Sequence, residues 1–386
     1  MKSMLTIREG GAAHWAFRLA TAALLIYLVL WIPSRGSNAL IGDSMNALIL
    51  MSSAMALNLV LGYTGQISIG HSAFFGIGAY ANGICISRYG WSPWVTFPIA
   101  FVVAFVIGMV VSLPALRIKG IYLALVTLSL ALVFPQVIKW RKFDWYTGGA
   151  QGLDGTGFDF GRQNRTYEIF GWNPFGDLRG EGIKPFLYWI AFIVVAVTYL
   201  VCRGVVKSRA GRSLIAIRDN ETAAAVMGVN LAATKAFVFG ISAGLCALPG
   251  SVSSLVTGNV TPDSPNVTLA GAIVFLIVMV IGGAGSLWGP IVGAVLYQFV
   301  TVKTGEWAED ENIPALVRPL FGWSKVPPAT GIFAVVLILL MFVAPRGLVG
   351  LWKQHSSRFV RVLPRPAGTA TIETNSAPPA GTELIT

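Results

Sequence analysis

The feature that most restricts what this chain can fold into is a recurrence. Long apolar runs, nearly free of Asp, Glu, Lys and Arg, alternate with short polar connections. A bilayer core about 30 Å thick is crossed by about 20 residues of helix. On that ruler the sequence predicts ten spans, at 15–32, 40–61, 66–87, 94–113, 121–138, 186–202, 235–257, 268–283, 287–302 and 329–344. Two of them are irregular as single helices: 66–87 contains His71 and several glycines, and 287–302 opens on Trp288-Gly289-Pro290. Charged residues make up 12% of the 386, against about 25% in soluble domains. That leaves too little polar surface to coat a soluble globule. The expected fold class is an all-α polytopic integral membrane protein with about ten transmembrane helices.

Orientation follows from Lys and Arg in short connections. The N-terminal segment has Lys2, Arg8 and Arg18, and the loop 114–120 has Arg117 and Lys119. Arg203, Lys207, Arg209, Arg212, Arg218 and Lys235 crowd one loop, and Arg346, Lys353, Arg358, Arg361 and Arg365 follow the last span. With ten spans all four segments fall on one side, which places the N- and C-termini in the cytoplasm. The short connections on the other side hold little, Arg35 in one and Arg88 in another; Lys139, Arg141 and Lys142 sit in a long external loop, where charge weighs less. The organisation expected is a cytoplasmic tail at 1–14, a membrane domain at 15–344 and a tail at 345–386 that is basic and then disordered. Within the membrane domain lie an external loop at 139–185, a cytoplasmic loop at 203–235 and an external segment at 303–328. The end of the chain, rich in Pro, Ala, Thr and Ser, lacks material for a core. Residues 15–32 read as a retained span, not a signal peptide. The net charge of +11 therefore reports topology in contact with membrane lipid, and nucleic acid is not an expected partner.

Little in the chain could do covalent chemistry. Cys85, Cys202 and Cys246 lie in or beside apolar runs, an odd number that argues against a disulfide framework. His14, His71 and His355 are too scattered for a metal site. No nucleophile–base pair and no G-x-x-x-x-G-K-[ST] phosphate loop occurs. Ionisable groups are scarce within the spans, which argues against a proton pump or an intramembrane protease. No catalytic residue, metal or bound cofactor is expected, so energy for transport would come from another chain or from a gradient. The external loop is rich in aromatics, which suit both the headgroup level and a landing surface for an external protein. The segment 304–328 clusters Glu306, Glu309, Asp310 and Glu311.

Two glycine-rich stretches interrupt the apolar pattern. In 62–80, Gly70, Ala73, Gly76 and Ala79 form a small-residue face suited to close helix packing; glycines and a histidine here could equally line or hinge a pathway. The stretch 281–294 loosely echoes it, with glycines at 282, 285 and 289 against 62, 65 and 70. Candidate path or gating residues are Gly62, Gly65, Gln66, Gly70, His71, Gly76, Gly282 and Gly285. In the basic loop, Ala216, Ile217 and Ala223–Val229 suggest a short amphipathic helix or helix pair. Arg212 opens one segment, Arg218, Asp219, Asn220 and Glu221 make a charged corner, and Gly228 supplies a turn or C-cap. Such a helix can enter a partner's groove or rest on the headgroups.

NLVLGYTGQISIGHSAFFGIGAY, LPALRIKGIYLALVTLSLA, TGGAQGL, GRSLIAIRDNETAAAVMGVN, GGAGSLWGPIVGA and APRGLVGL occur in this order. Over roughly 40–350 the chain resembles the membrane-spanning permease subunits of bacterial ABC importers for branched-chain amino acids, the LivM type. The resemblance implies a plasma (inner) membrane location and a heterodimer with a sister permease. It also implies two cytoplasmic ATPase subunits that hydrolyse ATP with Mg, and an external substrate-binding protein. This chain would have no ATPase site of its own. Gly211–Asn230 matches the coupling region that docks on the ATPases, which makes Arg212, Arg218, Asp219, Glu221 and Gly228 the expected contacts. Substrates implied are leucine, isoleucine and valine, with urea, another small amide or an aromatic acid as the alternative. A gradient-driven secondary transporter would call for intramembrane ionisable residues that the spans lack. The longer segment 304–328 and the Pro-rich tail depart from the commonest short form.

Overall fold

The computed structural model of the protein describes residues 5–8, 31–33, 36–117, 121–156, 183–309 and 347–363. Its helices there are α1 (Asn38–Thr64), α2 (His71–Tyr89), α3 (Pro93–Arg117), α4 (Ile121–Ile138), α5 (Asp144–Thr147), α6 (Ile183–Lys207), α7 (Arg209–Asp219), α8 (Glu221–Val226), α9 (Leu231–Thr257), α10 (Leu269–Gly282), α11 (Gly289–Glu309) and α12 (Gly347–Phe359). Four short strands qualify the all-α expectation: β1 (Leu5–Arg8), β2 (Leu153–Asp154), β3 (Asn259–Val260) and β4 (Val360–Leu363). The chain forms two compact units, Val29–Trp352 and a smaller one joining Met1–Leu28 to Lys353–Thr386. In the smaller unit β1 and β4 pair in parallel, Leu5 opposite Val360 and Arg8 opposite Leu363. In the larger, β2 runs antiparallel to β3.

The larger unit is built around α1. This helix is apolar on every side, the pattern of a helix surrounded by protein, and 83% of its most apolar window is buried. It packs on α6, α9, α10 and α11. Ser37 opens it, its hydroxyl accepting from Leu40 N at 3.2 Å, and Gly65 closes it at φ 70°. A second group brings α9 against α2 and α3. Here small residues decide the spacing: a Cβ on Gly78 would strike the Ala247 backbone, and one on Gly250 would strike Phe75 O. Close backbone approach of this kind is how helices associate in lipid, where apolar burial alone gives no preference for a neighbour. The small-residue face read at Gly70–Ala79 is thus a packing face in the structure.

Helices occupy the expected spans wherever these fall on described residues; 329–344, and 15–32 up to its last two residues, lie outside them. Of the eight expected spans that fall on described residues, not all qualify by length and composition. Among the described residues α1, α3, α6 and α9 are long and apolar enough to cross a bilayer, and a fifth crossing is possible if α4 and the segment Arg141–Thr147, bent by 59°, count as one. The shortfall has physical causes. α2 carries His71, Asn82 and three glycines. α10 has 14 residues, about 21 Å of helix against a core of about 30 Å.

Candidate functional site

The basic loop folds as the helix pair α7–α8 with caps at each corner. Ser208 begins α7, its hydroxyl accepting from Gly211 N at 3.4 Å. Asn220 both ends α7 and starts α8, its Oδ1 accepting from Ala223 N at 3.0 Å. α8 finishes in a Schellman turn: Gly228, at φ 84°, donates to Ala225 O and Val229 donates to Ala224 O, both at 3.0 Å. Asn230 then caps α9 through Ala233 N at 3.0 Å. Gly211, Leu214 and Ile217 form the inner face of α7, while Arg209 and Arg212 face outward. At the tip of α8, Val226 and Met227 are 82% and 84% exposed. The amphipathic pair read from sequence is therefore present, with an apolar tip and a basic flank.

The expected contact residues divide. Arg212 and Gly228 are exposed. Glu221 turns inward and pairs with Lys235 at 2.6 Å, where the two side chains are 23% and 4% exposed. This ion pair ties the start of α8 to α9. Asp219 accepts from its neighbour Arg218 at 3.3 Å. Arg218 itself reaches back into the bundle, its Nη1 donating to Gly62 O at 3.2 Å. A Cβ on Gly65 would sit 3.0 Å from Arg218 Cγ, and one on Gly285 would sit 3.4 Å from Arg218 Nη1.

Arg218 thus reads both glycine breaks, because the two breaks touch. Asn58, one turn before Gly62, clamps the second break: its Nδ2 donates to Ser286 O and its Oδ1 accepts from Gly285 N, each at 2.9 Å. Gly285 adopts φ 75°, and a Cβ on Gly62 would strike its backbone nitrogen. Gly347, from the APRGLVGL stretch, lies against the Gly283 backbone. Gly282 packs on the Gly289 backbone, which closes the α10–α11 hairpin. Four stretches distant in sequence, around residues 58–65, 218, 283–286 and 347, converge at one end of the bundle. Sequence reading noticed the echo between the breaks but not that Asn58 joins them. The signal was present, since an amide inside an apolar span needs a partner.

The other candidate path residues sit apart from this cluster. His71 is 1% exposed and both ring nitrogens are engaged. Ser242 gives its proton to Ala56 O at 2.6 Å, so Nε2 is the donor to Ser242 Oγ at 2.7 Å. Nδ1 then accepts from Ser68 Oγ at 3.1 Å. The ring bolts α2 to α9 and α1 as a neutral imidazole. Gly70 lies against the Thr127 backbone and Gly76 against Phe134 and Val267. Gln66 sits in the break after α1, its amide oxygen buried with no partner among the described residues.

A family model described as branched-chain amino acid transport system / permease component matches residues 44–345. The high-affinity branched-chain amino acid transport system permease protein LivM of Salmonella typhimurium is 31% identical over 294 residues, which cover 72% of this chain and 66% of that protein. LivM of Escherichia coli is 29% identical over 292 residues, with the same shares. The chain spans about two thirds of the length of these two relatives. No solved structure matches it. With most of its length inside the family match and several helices apolar enough to cross a bilayer, the chain is a multi-pass membrane protein that belongs to the permease components of branched-chain amino acid transport systems.

Proposed function

We propose that this chain forms half of the translocation pathway of an ATP-driven importer for leucine, isoleucine and valine in the bacterial inner membrane. It works beside a sister permease; two cytoplasmic ATPases hydrolyse ATP with Mg, and an external binding protein delivers the substrate. The α7–α8 pair is the coupling element. Its outward face, Arg209, Arg212, Val226 and Met227, enters the ATPase groove as an amphipathic helix enters a hydrophobic groove. Its inward face carries the motion. Glu221–Lys235 makes α8 move with α9, and Arg218 bears on the Gly62 carbonyl beside the Asn58 clamp. Closure of the ATPases then displaces α9 with its partners α2 and α3 as rigid bodies. The binding protein captures the substrate, so any site in the pathway itself need hold it only weakly and briefly.

The observation that carries this reading is Arg218, which lies in the coupling segment and touches both glycine breaks. The test uses the complete importer in proteoliposomes. The wild-type complex is expected to accumulate leucine when ATP is enclosed with the ATPases, and Val226→Asp with Met227→Asp is expected to release the ATPases on purification. Intact ATPase association and leucine-stimulated hydrolysis in that double variant would overturn the docking assignment. Uptake of urea in place of leucine would overturn the substrate assignment.

A further inference from the structure

Residues 258–282 run through the bundle in two styles. α9 ends at Thr257, just beyond the point where the Asn82 amide of α2 reaches Ser251 O at 3.3 Å and Ser254 Oγ at 2.7 Å. From there the chain runs back along α2 without helix, held by β3 to β2 at its start. By Val267 it lies against Gly76, where a Cβ would meet Val267 Cγ1 at 2.9 Å. Gly76 is about 20 Å of helix from Tyr89, the far end of α2. Only then does α10 begin and complete the traverse. This is a discontinuous span, and non-helical backbone at membrane depth is tolerated where protein covers it or where it lines a polar cavity. Interrupted spans are also where transporters of other folds hold their substrates.

A cavity of about 120 Å³ lies beside this segment. Phe75 and Ala79 of α2 with Val260 and Val267 of the connection give it an apolar wall; Ser253 of α9 and Asn266 give it a polar edge. Neither the Ser253 hydroxyl nor the Asn266 amide makes a hydrogen bond with another described residue. An apolar cavity of about 150 Å³ accepts benzene, so this one has room for a side chain of three or four carbons. The apolar lining suits hydrocarbon, and the hydroxyl and amide suit ammonium or carboxylate. Resting on the importer reading above, we infer that this cavity is a transit site for a zwitterion with a branched aliphatic side chain. The side chain sits between Ala79 and Val267, and the charged end faces Ser253 and Asn266.

The experiment compares leucine with valine, one methylene smaller, in proteoliposomes holding the complete importer. Ser253→Leu narrows the cavity. The leucine-to-valine uptake ratio is expected to fall about tenfold, the discrimination that one methylene gives in a close-fitting pocket. A ratio read within one preparation cancels differences in yield between variants. Ser253→Cys supplies a second readout: leucine presented with the binding protein is expected to slow its modification by a small thiol reagent, with the wild-type cysteines as the background. An unchanged ratio in Ser253→Leu, or no protection of Ser253→Cys, would sink the assignment. If instead the wild-type complex moves neither amino acid, the importer reading fails, and the two failures are thereby told apart.

Discussion

Two buried asparagines, Asn58 and Asn82, hold the two ends of the bundle, and they do so differently. Asn58 bonds backbone groups, the Gly285 amide and the Ser286 carbonyl. Asn82 bonds mainly hydroxyls, donating to Ser254 Oγ and accepting from Thr96 Oγ1. Without Asn82, Thr96 can still donate to Pro93 O at 2.9 Å, and Ser254 keeps its own donation to Ser251 O at 2.8 Å. Gly285 N has no such alternative among the described residues, whereas Ser286 O also accepts from Gly289 N at 3.2 Å. The end that carries α7 and α8 is therefore the more rigidly held, which suits the coupling role proposed for it, and the end that carries the α9–α10 connection is the more adaptable, which suits the proposed transit site.

The contrast can be broken from its stiff end first. Lys235→Ala removes the ammonium opposite Glu221 from a nearly buried pair. Losing one member of such a pair costs about 3–5 kcal/mol, so the largest drop in thermal unfolding temperature of the purified permease is expected here. Replacing both residues, Glu221→Gln with Lys235→Met, should recover part of the loss. Next comes the comparison itself. Asn58→Ala and Asn82→Ala remove the same side chain, but only the first leaves a backbone donor, Gly285 N, without its partner among the described residues; Ser286 O keeps Gly289 N at 3.2 Å. An orphaned group costs about 1–3 kcal/mol, so Asn58→Ala should be the more destabilising by about 1–2 kcal/mol. Equal shifts in the two unfolding curves would erase the distinction drawn here. Arg218→Lys keeps the charge without the planar fork that meets Gly62 O and Asp219 together. Leucine moved per ATP hydrolysed should fall several-fold while the ATPases stay bound. The smallest effect belongs to the opposite end: Lys139–Asp263, at 2.7 Å, has side chains 28% and 68% exposed. Lys139→Ala should cost no more than about 1 kcal/mol, and the difference from wild type should vanish in high salt.

Much of this was legible in the sequence. Helices α1, α3, α6 and α9 follow from run length alone, and the α7–α8 pair from its alternation of charged corner and alanine run. Gly228 could be placed at a helix end because a left-handed residue there favours glycine. What resisted was anything set by neighbours distant in the chain. Glu221 read as an outward contact because nothing in the sequence says that Lys235, at the next helix, folds over it. His71 was open to either a packing or a path role, and Ser242 and Ala56, which engage it in the structure, are far away in sequence. The discontinuous span at 258–282 was hidden because 268–283 is apolar enough to pass for a whole one. The family resemblance supplied the order of the motifs; their meeting at Asn58 is a fact of packing.

The pairing of β1 with β4 has a consequence for biogenesis. Leu5–Arg8 are synthesised well before their partners Val360–Leu363, with the membrane helices between them. Strand β1 must wait, unpaired, while the helices between it and β4 are synthesised and inserted. Closing so long a loop costs little once the intervening spans are fixed, since the entropy of closure grows only slowly with length. A chain cut after Phe359 would keep α12 yet leave Leu5–Arg8 with an open edge, the kind that invites pairing with another chain. The clasp therefore forms only once β4 has been synthesised.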